Sequence, residues 1–592
     1  MSDYNYPYKD AEFLINELIG FDAICREGGL EEVNGELVAA ILEEANRFGT
    51  EAIAPLNVIG DQNGATLGEN GVQETKGFLE AYKQYIENGW SSLAFPEEFG
   101  GQGMPKLVGT AADEVWQSCN LAFSLCPLLT HGAIEALMEH GSDELKNTYL
   151  PNMISGEWTG TMNLTEPAAG SDLAAVVTRA VPEGDHYRIY GQKIYITWGD
   201  HQMTENVIHL VLARLPDAPP GSGGISLFLV PKFLLGDQGN PEQRNDVHCV
   251  SIEHKLGIHA SPTCVLAFGD DDGAIGYLVG EPNRGLMAMF TMMNDARQSV
   301  GLQGLSLSTR SYQQALQYAK ERLQGTRSDG SRYPIIEYPD VRRMLMLMKA
   351  GTEAMRGIAY VASAEIDRAR LATDADAARR HNGRVDLYTP IVKGWLTEMA
   401  QEITSLGIQI HGGMGYVEET GSAQYYRDAR ITTIYEGTTG IQGQDLVGRK
   451  ILSNKGELLE SLLNDIQATA DELKASEGLA GLGQALQTAV ESGRAARQWL
   501  LDNAGQDRNV AGGASVNLLM MLGFICGGWV MGRSALKASQ LLTDGSGDEA
   551  FLNAKLVTAR FYSEHLLPRA DSCLTTVLAG SDSMMALHEN QF

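Results

Sequence analysis

Glu436 lies in ITTIYEGTTGIQ, residues 431–442, directly before Gly437 and among apolar and hydroxyl side chains. A carboxylate in such surroundings is a candidate general base, because a low-dielectric pocket raises a Glu pKa towards the working pH. Gly437 and Gly440 would admit a ligand close to the backbone, and Thr438 and Thr439 offer hydroxyl donors. The same residues also suit an exposed Glu beside the first turn of a helix IQGQDLVGRK, where the dipole favours a negative charge.

A second cluster is MNLTEPAAGSDLAAV, residues 162–176. Ala168, Ala169 and Gly170 permit close backbone approach, and the hydroxyl and N–H groups of Thr165 and Ser171 could hold a phosphate or the edge of a flavin ring. A plain turn in which Ser171 caps a short helix fits equally well. Asn294 and Arg297 stand one helical turn apart, with Arg322 further along. Arginine clamps phosphates in a fork geometry, although lone helical arginines are mostly solvated or salt-bridged. In IQIHGGMGYVEE, Gly412, Gly413 and Gly415 follow a helical run, as a C-cap with an extra turn also would.

The elements that must position these residues fall into four stretches. Residues 1–157 carry helical period on both sides of a Pro- and Gly-rich loop, LAFPEEFGGQG, and read as an all-helical domain. Residues 158–284 hold five or more β-branched and aromatic runs, including HYRIYGQKIYITWGD, NVIHLVLARL and GISLFLVPKFL, and predict an antiparallel β domain. Residues 285–455 predict long helices of an up-and-down four-helix bundle, and 456–592 a further helical domain. The fold class is therefore α+β and multidomain. No repeat or low-complexity segment is visible.

Bulk properties narrow the partners. The chain has 592 residues, room for about three to five domains, and a net charge of −30. A surface this acidic repels nucleic-acid phosphates and anionic lipid head groups. Seven cysteines, an odd number without a C-x-x-C pair, read as reduced residues of a cytoplasmic protein, and the acidic N-terminus has no secretory h-region. No metal site is expected. The uncharged run from Asn509 to Gly532 is long enough for a membrane span, but its Gly-, Ser- and Asn-rich start favours a buried core helix.

LAFPEEFGGQG, LTEPAAGSD, GQKIYITWG, KLGIHASPTC, IQIHGGMGY and YYRDARITTIYEGTTGIQ, in a helix, sheet, helix order, resemble the signatures of the acyl-CoA dehydrogenases over about residues 40 to 455. The N-terminal extension and the extra C-terminal helices resemble the larger branch that includes the 3-methylmercaptopropionyl-CoA dehydrogenases. The resemblance implies FAD, bound without a Rossmann fingerprint. The nearest variant of G-x-G-x-x-G, GSGDEA at Gly545, reads as a turn.

By the same resemblance Glu436 is the catalytic base. Leu164 and Thr165 would meet the pyrimidine side of the flavin, Ser171 the pyrophosphate or CoA, and Tyr195 and Thr197 the ring. Tyr195 stands where many members have Trp. Thr438 would touch FAD and Gly437 the substrate, while Asn294 and Arg297 match positions that hold CoA. Arg322, Gln409 and Gly413 match positions that reach the FAD of a neighbouring subunit, which implies at least a dimer; the extra C-terminal helices suggest a homodimer. The segment after Arg322, LQGTRSDGSRYP, departs from the family pattern by an insertion.

The implied reaction is α-proton removal by Glu436 with hydride transfer from the β-carbon to flavin N5, giving a trans-2-enoyl-CoA. Electrons would pass to an electron-transferring flavoprotein. An acyl-CoA oxidase and a non-catalytic flavin-containing scaffold are the competing readings. Acyl chain length and thioether preference stay open.

Overall fold

Where the period of the sequence switches near Thr159, the backbone switches from helix to sheet. A computed structural model describes residues 4–592, and the chain divides into two units. One comprises Arg47–Pro105 and Cys119–Ser299. The other comprises the N-terminal residues through Asn46, Lys106–Ser118 and Val300–Phe592. This grouping is not the linear one expected from sequence, for a reason that lies in the buried charges of the second grouping.

In the unit of Arg47–Pro105 and Cys119–Ser299, the segment read as all-helical also holds a hairpin, β1 (Thr66–Gly68) and β2 (Gly71–Gln73). Three-residue strands are too short to show a period of two. Asp200 anchors the hairpin by accepting the Val72 N–H at 3.0 Å. The helix Leu121–His140 then packs within a core that continues into the sheet, where Gly160 donates to the Thr130 hydroxyl at 3.0 Å.

The sheet contains β3 (Trp158–Asn163), β4 (Arg179–Glu183), β5 (His186–Thr197), β6 (Asn206–Arg214), β7 (Ile225–Pro231), β10 (Val247–Ile252), β11 (Thr263–Phe268) and β12 (Ala274–Val279). A small hairpin, β8 (Phe233–Leu235) and β9 (Pro241–Arg244), lies between β7 and β10. The strand order is β10-β11-β5-β12-β7-β6-β3, with β4 beside β5 and β6. The pairing is mainly antiparallel, as expected, but β3 runs parallel to β6 from Trp158↔Asn206 to Asn163↔Val211. The buried His201 and His209 hold β3 through Thr159 and Thr161, at 2.9 and 2.7 Å. Burial pulls both imidazoles down to about 3, so both are neutral near pH 7. Met203 donates its N–H to His201 Nδ1, which leaves Nε2–H for the Thr159 oxygen.

In the other unit the bundle helices are Gly285–Glu321, counted from Val300, then Pro339–Leu371, Ala375–His411, Ser422–Thr432 and Thr439–Asp445. The insertion after Arg322 forms a hairpin, β13 (Leu323–Thr326) and β14 (Arg332–Pro334). The C-terminal helices are Glu457–Ala475, Ala480–Asn503, Arg508–Thr543, Glu549–His565 and Arg569–Leu578. Within the third of these, Asn509–Thr543 is long and apolar enough to cross a membrane, yet it packs against its neighbours through glycine. A Cβ on Gly523 would stand 2.1 Å from the Trp395 ring, and one on Gly357 would stand 2.1 Å from Val530. GSGDEA is the turn after this helix, with Asp548 capping the next.

Buried charges bind the N-terminal residues and Lys106–Ser118 to these helices. Arg356 donates to Asp10 at 2.6 Å and to Glu114 at 2.8 and 3.0 Å, and Glu114 also accepts from Tyr360 at 2.7 Å. Tyr6 and Tyr360 share a 2.7 Å hydroxyl contact. Lys555, on Glu549–His565, donates to Asp10 and to Glu353. Asp367 accepts the N–H groups of Lys106 and Leu107 at 2.6 and 2.9 Å, and burial pushes its carboxyl up to about 6.

Arg356→Met leaves Asp10 and Glu114 buried without their guanidinium and is expected to cost about 3–5 kcal/mol, seen as a lower thermal midpoint. Lys9→Ala, which removes an exposed ion pair to Asp548, is expected to leave the midpoint unchanged.

Candidate active site

The candidates Leu164, Thr165, Ser171, Tyr195, Thr197, Asn294 and Arg297 lie in the unit that holds the sheet. Strand β3 ends at Asn163, and the chain then turns through residues 164–178. Glu166 and Ala169 exchange two backbone hydrogen bonds of 3.0 Å that close this turn. The Glu166 carboxylate, 3% exposed, accepts from Val177 N–H at 2.7 Å, Thr178 N–H at 3.1 Å and the buried Lys193 ammonium at 2.7 Å. Burial pushes this carboxyl up, but Lys193 and the N–H donors outweigh it and hold it below the usual range. Burial likewise pulls Lys193 down to about 8, which keeps it charged near pH 7. Lys193 also donates to Leu164 O at 3.0 Å, and Ile194 N–H donates to Thr165 O at 2.9 Å. Arg214 holds the far end of the turn through Val176 O and Ala174 O, both at 2.7 Å.

These interactions consume the inner face of the turn and leave its outer face open. Leu164 is buried, Thr165 half-buried, and Ala168, Gly170 and Ser171 are exposed. No atom lies within 4 Å of where a Gly170 Cβ would be. Ser171 is not a cap; Asp172 is, accepting from Ala174 N–H at 3.0 Å.

Tyr195 and Thr197 end β5 at a bulge. Between the pairs Lys193↔Leu266 and Ile196↔Cys264, β5 has two residues where β11 has one. Tyr195 there takes φ 60° and its side chain is 60% exposed, standing out from the sheet. Thr197 is half-buried, and Trp198, φ 50°, is buried with its indole N–H on Ala122 O at 3.0 Å. Asn294 is exposed and Arg297 buried, and the guanidinium donates to Asn294 Oδ1 at 3.3 Å, so the expected pair is brought together.

The candidate base lies in the other unit. Glu436 is half-buried, in a bend between Ser422–Thr432 and Thr439–Asp445. It has φ 56° and Gly437 has φ 88°, so two consecutive residues are left-handed. A non-Gly residue there is held at a cost of about 1–3 kcal/mol, which the surroundings must supply. Gln442 does so in part by donating to Glu436 O at 3.1 Å and to Gly437 O at 3.4 Å. The N-cap of Thr439–Asp445 is Thr438, whose hydroxyl accepts from Ile441 N–H at 3.3 Å. Thr439 donates to Glu398 at 2.6 Å. The capping role that a carboxylate could have filled is thus taken by a threonine, and Glu436 is not spent on it.

Arg322, Gln409 and Gly413 are exposed. Gly413 follows Ala375–His411 in the turn Gly412–Tyr416, beside the exposed Met414, Tyr416 and Val417. The sequence reading missed Glu166, Lys193, Arg214 and Gln442. All four stand inside quoted stretches, and for Glu166 and Lys193 an acid and a base within strand and turn segments were the available signal.

Four family descriptions match the chain in order: acyl-CoA dehydrogenase N-terminal domain at residues 38–157, middle domain at 161–270, C-terminal domain at 283–452, and acetyl-CoA dehydrogenase C-terminal like at 462–588. The chain belongs to the acyl-CoA dehydrogenases. It is 46% identical to the 3-methylmercaptopropionyl-CoA dehydrogenase of Ruegeria pomeroyi, over 98% of this chain and 99% of that one. It is 36% identical to the broad-specificity linear acyl-CoA dehydrogenase FadE5 of Mycobacterium tuberculosis, over the whole of both. Among solved structures, an acyl-CoA dehydrogenase complexed with FAD from Bacillus anthracis matches in fold with TM-score 0.75 and 23% identity, over 93% of this chain and 89% of that one. Butyryl-CoA dehydrogenase from Megasphaera elsdenii matches with TM-score 0.57 and 25% identity, over 70% and 97%.

An acyl-CoA dehydrogenase is an FAD-dependent oxidoreductase. The open outer face of the 164–171 turn and the projecting Tyr195 ring suit a flat cofactor with phosphates. Lys193→Met leaves the Glu166 carboxylate buried and unpaired, and is expected to loosen the turn and to lower bound FAD, read as the ratio of absorbance at flavin and protein wavelengths. Removing the partly exposed Arg188–Glu183 pair by Arg188→Ala is expected to leave that ratio unchanged.

Proposed function

We propose that this chain catalyses α,β-dehydrogenation of an acyl-CoA thioester to the trans-2-enoyl-CoA, with Glu436 as the base. The observation that carries the reading is the strained, half-buried placement of Glu436, held by Gln442 while Thr438 caps the following helix. Strain at a non-Gly residue persists where its surroundings over-determine it, and it concentrates at active sites.

An α C–H beside a thioester is a very weak acid. The carbonyl must therefore be polarised, and the Glu436 N–H, on the same residue as the base, is the group for this role. Glu436 then takes the α-proton on its carboxylate. Bound FAD supplies the acceptor for the β-hydrogen, which leaves as hydride. Leu164, Thr165, Ser171, Tyr195, Thr197 and Thr438 bind and orient the cofactor, while Ser171, Asn294, Arg297 and Gly437 hold the CoA ester. Positioning of this kind contributes several kcal/mol to such a reaction.

The electron acceptor is an electron-transferring flavoprotein. The substrate is a short acyl-CoA of the kind for which the Ruegeria relative is named, and similarity along the full length of both chains supports this. Free thiols at all seven cysteines, five of them buried, support a cytoplasmic location. Glu436→Gln is expected to keep FAD and to slow anaerobic flavin bleaching by acyl-CoA about 10²- to 10⁴-fold. A fully active variant would discard the assignment. Peroxide release in air without a flavoprotein acceptor would favour an oxidase, and a wild-type flavin that no acyl-CoA reduces would favour a scaffold.

The working form is a homodimer: Gln409 and Gly413 are exposed near exposed Met414, Tyr416 and Val417, and exposed Arg322 follows the helix whose Tyr318 ring packs on His411 at 4.5 Å. Light scattering is expected to give the mass of two chains, and Tyr416→Asp to lower it towards one.

A further inference from the structure

The residue before the base has a partner that is only half satisfied. The Tyr435 hydroxyl donates to Gln303 Oε1, and both residues lie in the unit that holds Glu436. Burial, with the Glu436 and Asp428 carboxylates, pushes the Tyr435 phenol far above its usual range, so its proton stays in place. With Oε1 accepting from that hydroxyl, the amide of Gln303 is oriented so that Nε2 is not the atom that meets Tyr435. Gln303 has no exposure at all, and Nε2 has no hydrogen-bond partner among the described residues.

The surroundings explain neither the amide nor its orientation as packing. On Gly285–Glu321, Gly301 and Gly304 seat the helix tightly against the backbone of Val392 and Leu396. Gln303 and, one turn on, Ser306 instead make a polar strip. The Ser306 hydroxyl reaches Glu114 O and Gln117 Oε1 only at 3.4 Å, and the nearby chain carries a second buried atom without a partner, Ser118 Oγ. A buried donor left unmade costs free energy, and native proteins leave such groups chiefly where a ligand or ordered water completes them. A plain hydrocarbon chain brought against such a strip would leave these groups unpaired.

We propose that Gln303 is a specificity-determining residue, whose Nε2–H donates to an acceptor atom within the acyl group and so favours acyl-CoA thioesters with a sulfur or oxygen in the chain. The inference rests on the dehydrogenase reading and narrows its substrate class. No bond is made or broken by Gln303. Its contribution is to reject acyl groups that leave the amide unpaired.

The test uses the purified holoenzyme and three substrates of equal chain length: 3-(methylthio)propionyl-CoA, 3-methoxypropionyl-CoA and pentanoyl-CoA, which differ only by S, O or CH₂ at one position. Anaerobic stopped-flow reduction of the flavin gives a second-order rate constant for each. The two heteroatom substrates are expected to exceed pentanoyl-CoA by about three- to tenfold, the range of one net hydrogen bond. Gln303→Met, of similar length without the donor, is expected to bring the ratios to about one while FAD content is unchanged. Tyr435→Phe, which releases the amide, is expected to lower them partway. Should Gln303→Met fail to fold, Gln303→Asn retracts the donor by one carbon and must also lower the ratios. Equal rates in the wild type, or ratios that survive both Gln303 substitutions, overturn the proposal and leave Nε2 bound to water only. Absence of flavin reduction by any acyl-CoA, heteroatom-bearing or not, would instead overturn the dehydrogenase reading itself.

Discussion

A guanidinium removed from water sets the conditions for the larger unit. Arg356 is 2% exposed and must find negative charge within reach, because an isolated buried cation is far costlier than a paired one. It finds Asp10 and Glu114, which lie on either side of the segment that belongs to the other unit. Asp10 in turn takes Lys555, Lys555 takes Glu353, and Glu353 takes Lys349. Three acids and three bases thus close a neutral network that draws on four separated parts of the sequence. Such a network adds little net stability compared with well-packed apolar residues, but breaking one member leaves an uncompensated charge. Its effect is to specify which segments pack together.

The sheet-bearing unit repeats the device on a smaller scale. Glu166 and Lys193 are both buried, and their pairing places the inner face of the turn after β3 against β5. Asp200 and Lys232, 2.6 Å apart, do the same for the β1–β2 hairpin and the start of β8. In each case a buried charge pair fixes a loop, and the turn held by Glu166 and Lys193 is the one whose outer side carries Leu164, Thr165 and Ser171. Precision at the exposed positions comes from electrostatics beneath them, where the low dielectric makes an unpaired group expensive.

Long elements were legible in the sequence because their period is long. The long helices expected within residues 285–455 are observed, Pro339–Leu371 among them, and the runs NVIHLVLARL and GISLFLVPKFL contain β6 and β7. Individual chemistry was legible where residue type alone is informative, as at Glu436 in its Gly- and Thr-rich surroundings. What could not be read was conformation contrary to type. Tyr195, Trp198 and Glu436 all have positive φ, which the sequence gives no reason to expect of bulky or charged side chains. Pairings distant in sequence were equally hidden: nothing local links Asp10 to Lys555, or Glu166 to Lys193. The parallel β3–β6 ladder was hidden too, since a fully buried strand such as β3 has no alternation to report its direction.

The glycine-lined helix Arg508–Thr543 and the Lys555 that follows it bear on how chains of this length can arise. Lys555 compensates a carboxylate supplied by the far N-terminus, so the last helices and the first are electrostatic complements. Acquiring or shedding either end alone would strand a charge in the interior. The two extremities therefore have to be inherited together, and a descendant trimmed at one of them would need a compensating change near Asp10 or Glu353 before it could fold.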